Sequence, residues 1–506
     1  MRGICKRFDI KQANIDVDFD LYRGEIVSLL GENGSGKTTL MNMLAGIYYP
    51  DAGQIFINGR QVLISSPAQA AKLGIGMVHQ HFKLVDVFTA WENIVLGEEG
   101  KYDVSLAKKR IREICDRYGF DVDPDKKIYN MTVSEKQTVE IVKVIYHGAD
   151  ILILDEPTAV LTPQETERLF EVMRNMKNDG KSIVIITHKL AEVMAISDRV
   201  VVLRQGSYAG TLETKNTTPQ EMTDMMVGHA VTLDIERPEP VNPQKRLVIK
   251  NINITDIEGV QKVRNVSFYM NSGEILGIAG ISGSGQKELL EAIAGIQKVD
   301  TGSVIYIDEN GKETELIGMH PRDIRELGVA LSFVPEDRLG MGLVGNMNIS
   351  ENMMLRTFGE SHKWFTDRDK PRKVAERVVD VLDVSTPGLE TPVRRLSGGN
   401  IQKILVGREI SSNPKVLLTA YAVRGLDINS SYKIYDLINE QKKKGVAVLF
   451  VGEDLDVLMQ ISDKIMVLCD GQVSDIVDAK KVTKNEIGLL MTSLSEQNGK
   501  EKSDGN

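Results

Sequence analysis

Apolar residues gather into short runs of about four to six, each closed by a glycine, an acid or a polar turn. Stretches of helical, charged pattern separate them. Glu25-Ile-Val-Ser-Leu-Leu-Gly31, Asp150-Ile-Leu-Ile-Leu154 and Ser182-Ile-Val-Ile-Ile-Thr187 are such runs, as are Glu274-Ile-Leu-Gly-Ile-Ala-Gly280, Pro414-Lys-Val-Leu-Leu418 and Ala447-Val-Leu-Phe-Val-Gly452. Runs this short with little polar alternation predict strands buried on both faces, and their alternation with helices predicts α/β domains with largely parallel sheets.

The runs form two sets about 250 residues apart, which is an internal duplication. Leu44-Ala-Gly46 returns as Ile293-Ala-Gly295 and Asp51-Ala-Gly53 as Asp300-Thr-Gly302. The strand at Asp150–Leu154 aligns with Pro414–Leu418, and Ser182–Thr187 with Ala447–Gly452. Between the halves, Glu236-Arg-Pro-Glu-Pro-Val-Asn-Pro-Gln-Lys-Arg246 carries three prolines in a polar stretch and reads as a short, stiff linker. This predicts a first domain over 1–237, a linker over 238–246, a second domain over 247–492 and a frayed polar tail over 493–506. Stretches near 100–130 and 347–395 have the charged, helical pattern of an inserted subdomain.

Composition narrows the function. The 506 residues, 42% hydrophobic and 26% charged, exceed one core and have the composition of an ordinary globular protein. A net charge of −9 argues against nucleic acid as the main partner. Cys5, Cys115 and Cys469 have no metal-like or disulfide-like spacing, which fits a reducing compartment. The opening Met1-Arg-Gly-Ile-Cys-Lys-Arg-Phe8 lacks the apolar core of a signal peptide and reads as a shortened start. No apolar run approaches the ~18 residues of a membrane-spanning helix, so work at a membrane would require docking onto other helices.

The chemistry lies at the ends of the strands. Gly31-Glu32-Asn33-Gly34-Ser35-Gly36-Lys37-Thr38-Thr39 follows a strand and is a phosphate-binding loop. Its glycines let backbone N–H groups close around phosphate oxygens at a helix N-terminus. Lys37 is positioned for the β- and γ-phosphates and Thr38 for Mg²⁺. Asp155 and Glu156 end the next strand run, Asp155 suited to holding Mg²⁺ and Glu156 to polarising water. His188 ends the following run. Gln80, in Val78-His-Gln-His-Phe-Lys83, is a sensor of Mg²⁺ and water; His79 and His81 beside it offer too few ligands for zinc. Phe8 stacks on a base or simply packs, and the sequence leaves both open.

With these residues in place, the chain resembles the ABC ATPases over essentially its whole length. Among them it is similar to the tandem-domain ATP-binding subunits of bacterial importers for simple sugars and nucleosides. Supporting stretches are Met77-Val-His-Gln-His-Phe-Lys-Leu-Val85, Trp91-Glu-Asn93, Asp155-Glu-Pro-Thr-Ala-Val-Leu-Thr-Pro163, Val334-Pro-Glu-Asp-Arg338 and Leu396-Ser397-Gly398-Gly399-Asn400-Ile-Gln-Lys403. The resemblance implies two tandem P-loop ABC ATPase domains, each with a mainly parallel sheet and an inserted helical subdomain. It implies ATP and Mg²⁺ as ligands, with Thr38, Gln80 and Asp155 at the metal and Glu156, His188 and Gln80 in hydrolysis. It also implies a place on the cytoplasmic face of a membrane, with two permease subunits and an extracellular solute-binding protein or lipoprotein as partners. The nucleoside branch is favoured, because Gln286 stands where sugar relatives carry Arg and the second strand end lacks an acidic pair. The alternative is a soluble ABC ATPase acting on ribosomes or nucleic acid; the short linker and acidic chain speak against it.

The halves have lost different residues. Lys37 corresponds to Gln286, Asp155 to Ala420, Glu156 to Tyr421, His188 to Glu453 and Gln80 to Glu336. The first signature loop reads Met131-Thr132-Val133-Ser134-Glu135-Lys136, where Ser134 replaces a glycine and Glu135 adds an anion. The second keeps Ser397, Gly398, Gly399 and Asn400, with Asp427 where the first half has Thr162. Head-to-tail pairing of the halves would join every surviving residue in one pocket and every loss in the other. One pocket is therefore expected to hydrolyse ATP, and the second at most to hold it.

Overall fold

A computed structural model of the chain describes residues 1–8, 11–80, 82–98, 103–159, 161–229, 235–256, 259–281, 283–333, 339, 342–357, 368–411, 414–452 and 454–492. It divides into two compact units, Met1–Thr232 and Leu233–Asn506, and each repeats one plan.

In the first unit the buried runs form a six-stranded sheet. Its order is Ser207–Glu213, Arg199–Arg204, Ile26–Leu30, Ser182–Ile186, Ile151–Asp155 and Ile75–Val78. All neighbours are parallel except the pair formed by the first two. Ile26–Leu30 and Ser182–Ile186 are buried at every residue, which is why their sequences lack alternation. The second unit repeats the order with Gln472–Asp478, Lys464–Cys469, Ile275–Gly280, Ala447–Val451, Val416–Ala420 and Val329–Phe333.

Each unit also carries a four-stranded antiparallel sheet that the sequence patterns did not single out. In the first unit its order is Lys11–Val17, Arg2–Phe8, Ala52–Ile57 and Arg60–Val62; in the second, Gln261–Asn271, Lys245–Thr255, Thr301–Ile307 and Glu313–Glu315. The stretch expected to hold inserted helices contains Val104–Tyr118 in the first unit, followed by Val133–Tyr146. Asp369–Val381 and Gly398–Ile410 are their counterparts in the second, where Ile349–Thr357 corresponds to Ala90–Ile94 of the first.

The strand bounds correct one alignment. Ile151–Asp155 pairs from Ile151↔Ser182, and Val416–Ala420 from Val416↔Ala447, so matching Asp150–Leu154 to Pro414–Leu418 is off by one residue. An unbroken apolar run gives no phase to the match. The correspondence of Asp155 with Ala420 and of Glu156 with Tyr421 is unaffected.

The duplication extends to polar anchors at the start of each central strand. Asp198 accepts the Ile26 amide at 2.9 Å and Lys177 Nζ at 2.5 Å. Asp463 accepts the Ile275 amide at 2.8 Å and Lys442 Nζ at 2.7 Å. Each aspartate fixes the entry of the central strand, and a charge-assisted bond of this kind contributes about 1.5–3 kcal/mol. At the start of the second unit, Ile235 lies in its core and Arg237 donates to the carbonyls of Met459 and Ser462. The chain thus attaches to the second unit a few residues before the expected start of the linker at 238.

Candidate nucleotide site

Parallel strands put all their carboxyl ends on one edge of a sheet, where ligands of open α/β sheets bind. Four adjacent strands of the first unit end there. Ile26–Leu30 leads into the glycine loop, Ser182–Ile186 into Thr187-His188, Ile151–Asp155 into Glu156, and Ile75–Val78 into His79-Gln80.

The loop backbone depends on its glycines. Gly34 and Gly36 hold φ of 83° and 93°, a region disfavoured for side-chain-bearing residues. A Cβ on Gly36 would also sit 2.2 Å from the Ala13 carbonyl oxygen. The buried Asn14, which the motif does not include, donates to the Gly36 carbonyl at 3.2 Å. Lys37 opens the helix Lys37–Leu44 and is buried; its Nζ donates to the carbonyls of Gly31 at 2.7 Å and Glu32 at 3.0 Å. Burial lowers its pKa, while Glu156, Asp155 and Glu32 act in the opposite direction. The Ser35 hydroxyl oxygen is buried without a hydrogen-bond partner, the kind of group that a phosphate oxygen would satisfy. Thr38 is exposed and Thr39 half-buried at the start of the helix.

The acids lie beside the loop. Burial, and then the neighbouring Glu156 charge, push the Asp155 carboxyl up to about 6, against a hydrogen bond with Thr38 and the Lys37 charge. Glu156 takes a left-handed backbone, φ 48°, and donates its amide to the Ile186 carbonyl at 2.8 Å. One carboxylate oxygen accepts from Gln80 Nε2 at 2.9 Å, and the other meets His188 Nδ1 at 3.0 Å. The His188 contact holds the Glu156 carboxyl below the ordinary range. Gln80, Glu156 and His188, which lie far apart in sequence, are therefore in direct contact. Phe8 is exposed, edge-on to Tyr48 with centroids 5.1 Å apart, and Lys6 lies 5.6 Å from its ring.

The signature segment of the first unit is locked by its own side chains. Thr132 caps Val133–Tyr146 in a reciprocal box with Glu135, and Lys126 Nζ lies 2.7 Å from the Glu135 carboxylate. The added anion is therefore already paired. Further along this helix Glu140, not singled out in the sequence, accepts the Lys83 amide at 2.5 Å and so ties the helix to the segment after Gln80.

The second unit keeps the framework with other side chains. Gln286 is buried, and its Nε2 donates to the Ile281 carbonyl at 3.1 Å, the contact that Lys37 makes with Glu32. Ala420 ends its strand, and Tyr421 keeps φ 55° and donates its amide to Val451 at 3.0 Å. Glu336 and Glu453 lie outside the described residues, as does His81. Ser397 caps Gly398–Ile410 and accepts Asn400 Nδ2 at 2.9 Å. Leu426 lies 3.6 Å from the position a Cβ would take on Gly399. Asp427 caps Ile428–Lys443 as Thr162 caps Pro163–Asn178, so the two are equivalent.

The ABC transporter family profile matches residues 15–159 and 263–419. The nucleoside import ATP-binding protein NupA of Lactococcus lactis subsp. cremoris is 43% identical over 97% of both chains. The guanosine import ATP-binding protein NupO of Bacillus subtilis is 41% identical over 98% of both. The ribose import ATP-binding protein RbsA 1 of Rubrobacter xylanophilus is 36% identical over 98% of both. Among solved structures, the complex of archaeal ribosomal stalk protein aP1 with ribosome recycling factor aABCE1 aligns over 94% of this chain and 90% of its own. Its TM-score is 0.58 at 17% identity, a likeness of fold alone. With two matched domains and relatives alike from end to end, the chain belongs to the ABC transporter family.

Proposed function

We propose that this chain, an ATPase by its family, powers import of a small solute of the nucleoside class through a membrane complex. The observation that carries this reading is the 43% and 41% identity to nucleoside and guanosine import subunits over nearly the whole chain, against 36% for a ribose import subunit. Two permease subunits and an extracellular solute-binding protein or lipoprotein are its partners, and it works on the cytoplasmic face of the membrane. No described helix is long and apolar enough to cross a membrane, in keeping with docking onto permeases.

In this reading the loop amides, Ser35 and Lys37 bind the ATP phosphates, and Phe8 lies against the base. Glu156, kept ionised by its contact with His188, draws the proton from the attacking water, and Gln80 and His188 orient the water and the γ-phosphate. Thr38, Asp155 and Gln80 fit Mg²⁺, since a cation would offset the burial that raises the Asp155 carboxyl. When bound, Mg²⁺ neutralises phosphate charge. Ser397, Gly398, Gly399, Asn400 and Asp427, the intact signature residues of the second half, are suited to a nucleotide γ-phosphate. The glycine loop of the second half, with Gln286, Ala420 and Tyr421, does not turn nucleotide over.

The test is reconstitution with the permeases in vesicles. ATP-dependent uptake of nucleoside, with ribose ineffective, is expected. ATPase activity stimulated by ribosomes and indifferent to permeases would overturn the assignment.

A further inference from the structure

Asp155 pairs with Ile186 across two parallel strands, so the turns that follow them run side by side. A polar cluster joins these turns. The Thr158 hydroxyl, 2% exposed, lies 2.6 Å from both carboxylate oxygens of Glu192. Lys189 Nζ donates to the Thr158 carbonyl at 3.1 Å and lies 3.1 Å from Glu192 Oε1. Thr187 Oγ1 accepts the Lys189 amide at 3.1 Å and faces Glu192 Oε2 at 3.5 Å. The cluster therefore binds the segment just after Glu156 to the residues on both sides of His188. The His188 side chain is 54% exposed and meets Glu156 through Nδ1, so its direction depends largely on the turn that carries it.

The described residues at the corresponding positions of the second unit form no such cluster. Counting from the paired strands, Val423 stands at Thr158, Gly452 at Thr187, Asp454 at Lys189 and Val457 at Glu192. Val423 and Val457 pack against the apolar core, and Asp454 caps its own helix. The helices Leu190–Ile196 and Leu455–Ile461 have equal length, and Tyr421 keeps the left-handed backbone of Glu156. The fold does not need these polar groups, whose burial carries a desolvation cost. They occur in the half that has Glu156 and His188.

We propose that Glu192, with Thr158 and Lys189, forms a positioning cluster that holds His188 against Glu156. This rests on the reading of Glu156 and His188 as the hydrolytic pair. A displacement of about 1 Å in such a pair costs on the order of 100-fold in rate.

The test uses the full chain and replaces cluster residues by those of the second unit. Thr158→Val and Glu192→Val are expected to lower kcat about 10- to 100-fold while KM for ATP stays within about threefold. Glu192→Gln, which still accepts from Thr158, is expected to recover part of the loss. If Glu192 acts through His188, adding Glu192→Val to His188→Ala should lower kcat no further. Wild-type kcat in both valine variants, or an equal further loss in the His188→Ala background, overturns the proposal. If Glu192→Val fails to fold, the near-isosteric Thr158→Val carries the test. Undiminished hydrolysis in Glu156→Gln or His188→Ala would instead overturn the reading of the pair itself.

Discussion

Glu156 and Tyr421 hold the same backbone in the two halves of this chain. Both are left-handed, with φ of 48° and 55°, and both donate their amides to the neighbouring parallel strand, at Ile186 and Val451. A side-chain-bearing residue in that region carries a conformational cost. The turn persists where the carboxylate is gone, so the strained geometry belongs to the scaffold and the acid is an addition to it.

The loop lysine can be tested on the same principle. Gln286 shows that a glutamine at this position still reaches a loop carbonyl, so Lys37→Gln should fold with an unchanged melting temperature. Steady-state assays should show hydrolysis lowered at least about 100-fold, because the charge facing the phosphates is gone. Gln286→Lys should restore nothing, since Ala420 and Tyr421 still lack carboxylates.

Gly36→Ala should disable the loop. The new Cβ would meet the Ala13 carbonyl oxygen at 2.2 Å on a backbone of φ 93°. The expected cost is about 2 kcal/mol or more of local strain, with nucleotide binding lost in calorimetric titration. Gly59→Ala, where a Cβ meets nothing within 4 Å, should leave binding intact.

Glu140 makes stability depend on pH. Burial raises its carboxyl above the ordinary value, so the native state takes up this proton at higher pH than the unfolded chain does. Stability from this group is greatest below the ordinary carboxylate range and is lost as pH rises through the raised value. Glu140→Gln keeps an acceptor for the Lys83 amide without the charge. Denaturant titrations should find it more stable than wild type at neutral pH, with the difference vanishing in acid. Glu140→Leu, copying Leu405, leaves the Lys83 amide without its acceptor and should cost about 1–3 kcal/mol.

Much of this site was legible in the chain because its residues follow strands. The glycine loop, Asp155, Glu156 and His188 each close an apolar run, and parallel pairing brings such ends together. Residues defined by sheet order were harder to read. Thr158 and Glu192 are about 30 residues apart, and Lys189 with Glu192 looks like a solvated i,i+3 helix pair. Only the adjacency of two strands makes them a cluster. Glu140 likewise sits on a helix whose partner is a backbone amide of another segment, which no spacing reveals. Lys6 and Phe8 lie on a strand of mixed polarity and Tyr48 on the segment after the helix Lys37–Leu44, so their meeting follows from no apolar run.

The central claim is that one half of the chain turns over ATP and the other does not. The most direct measurement is ATP hydrolysis by the full chain carrying Glu156→Gln or Tyr421→Glu, with bound nucleotide assayed in parallel. Glu156→Gln should abolish turnover and trap ATP, while Tyr421→Glu should leave the rate within about twofold of wild type, because Gln286 and Ala420 still fail to serve the second loop. Continued hydrolysis in Glu156→Gln, or a large gain in Tyr421→Glu, would contradict it.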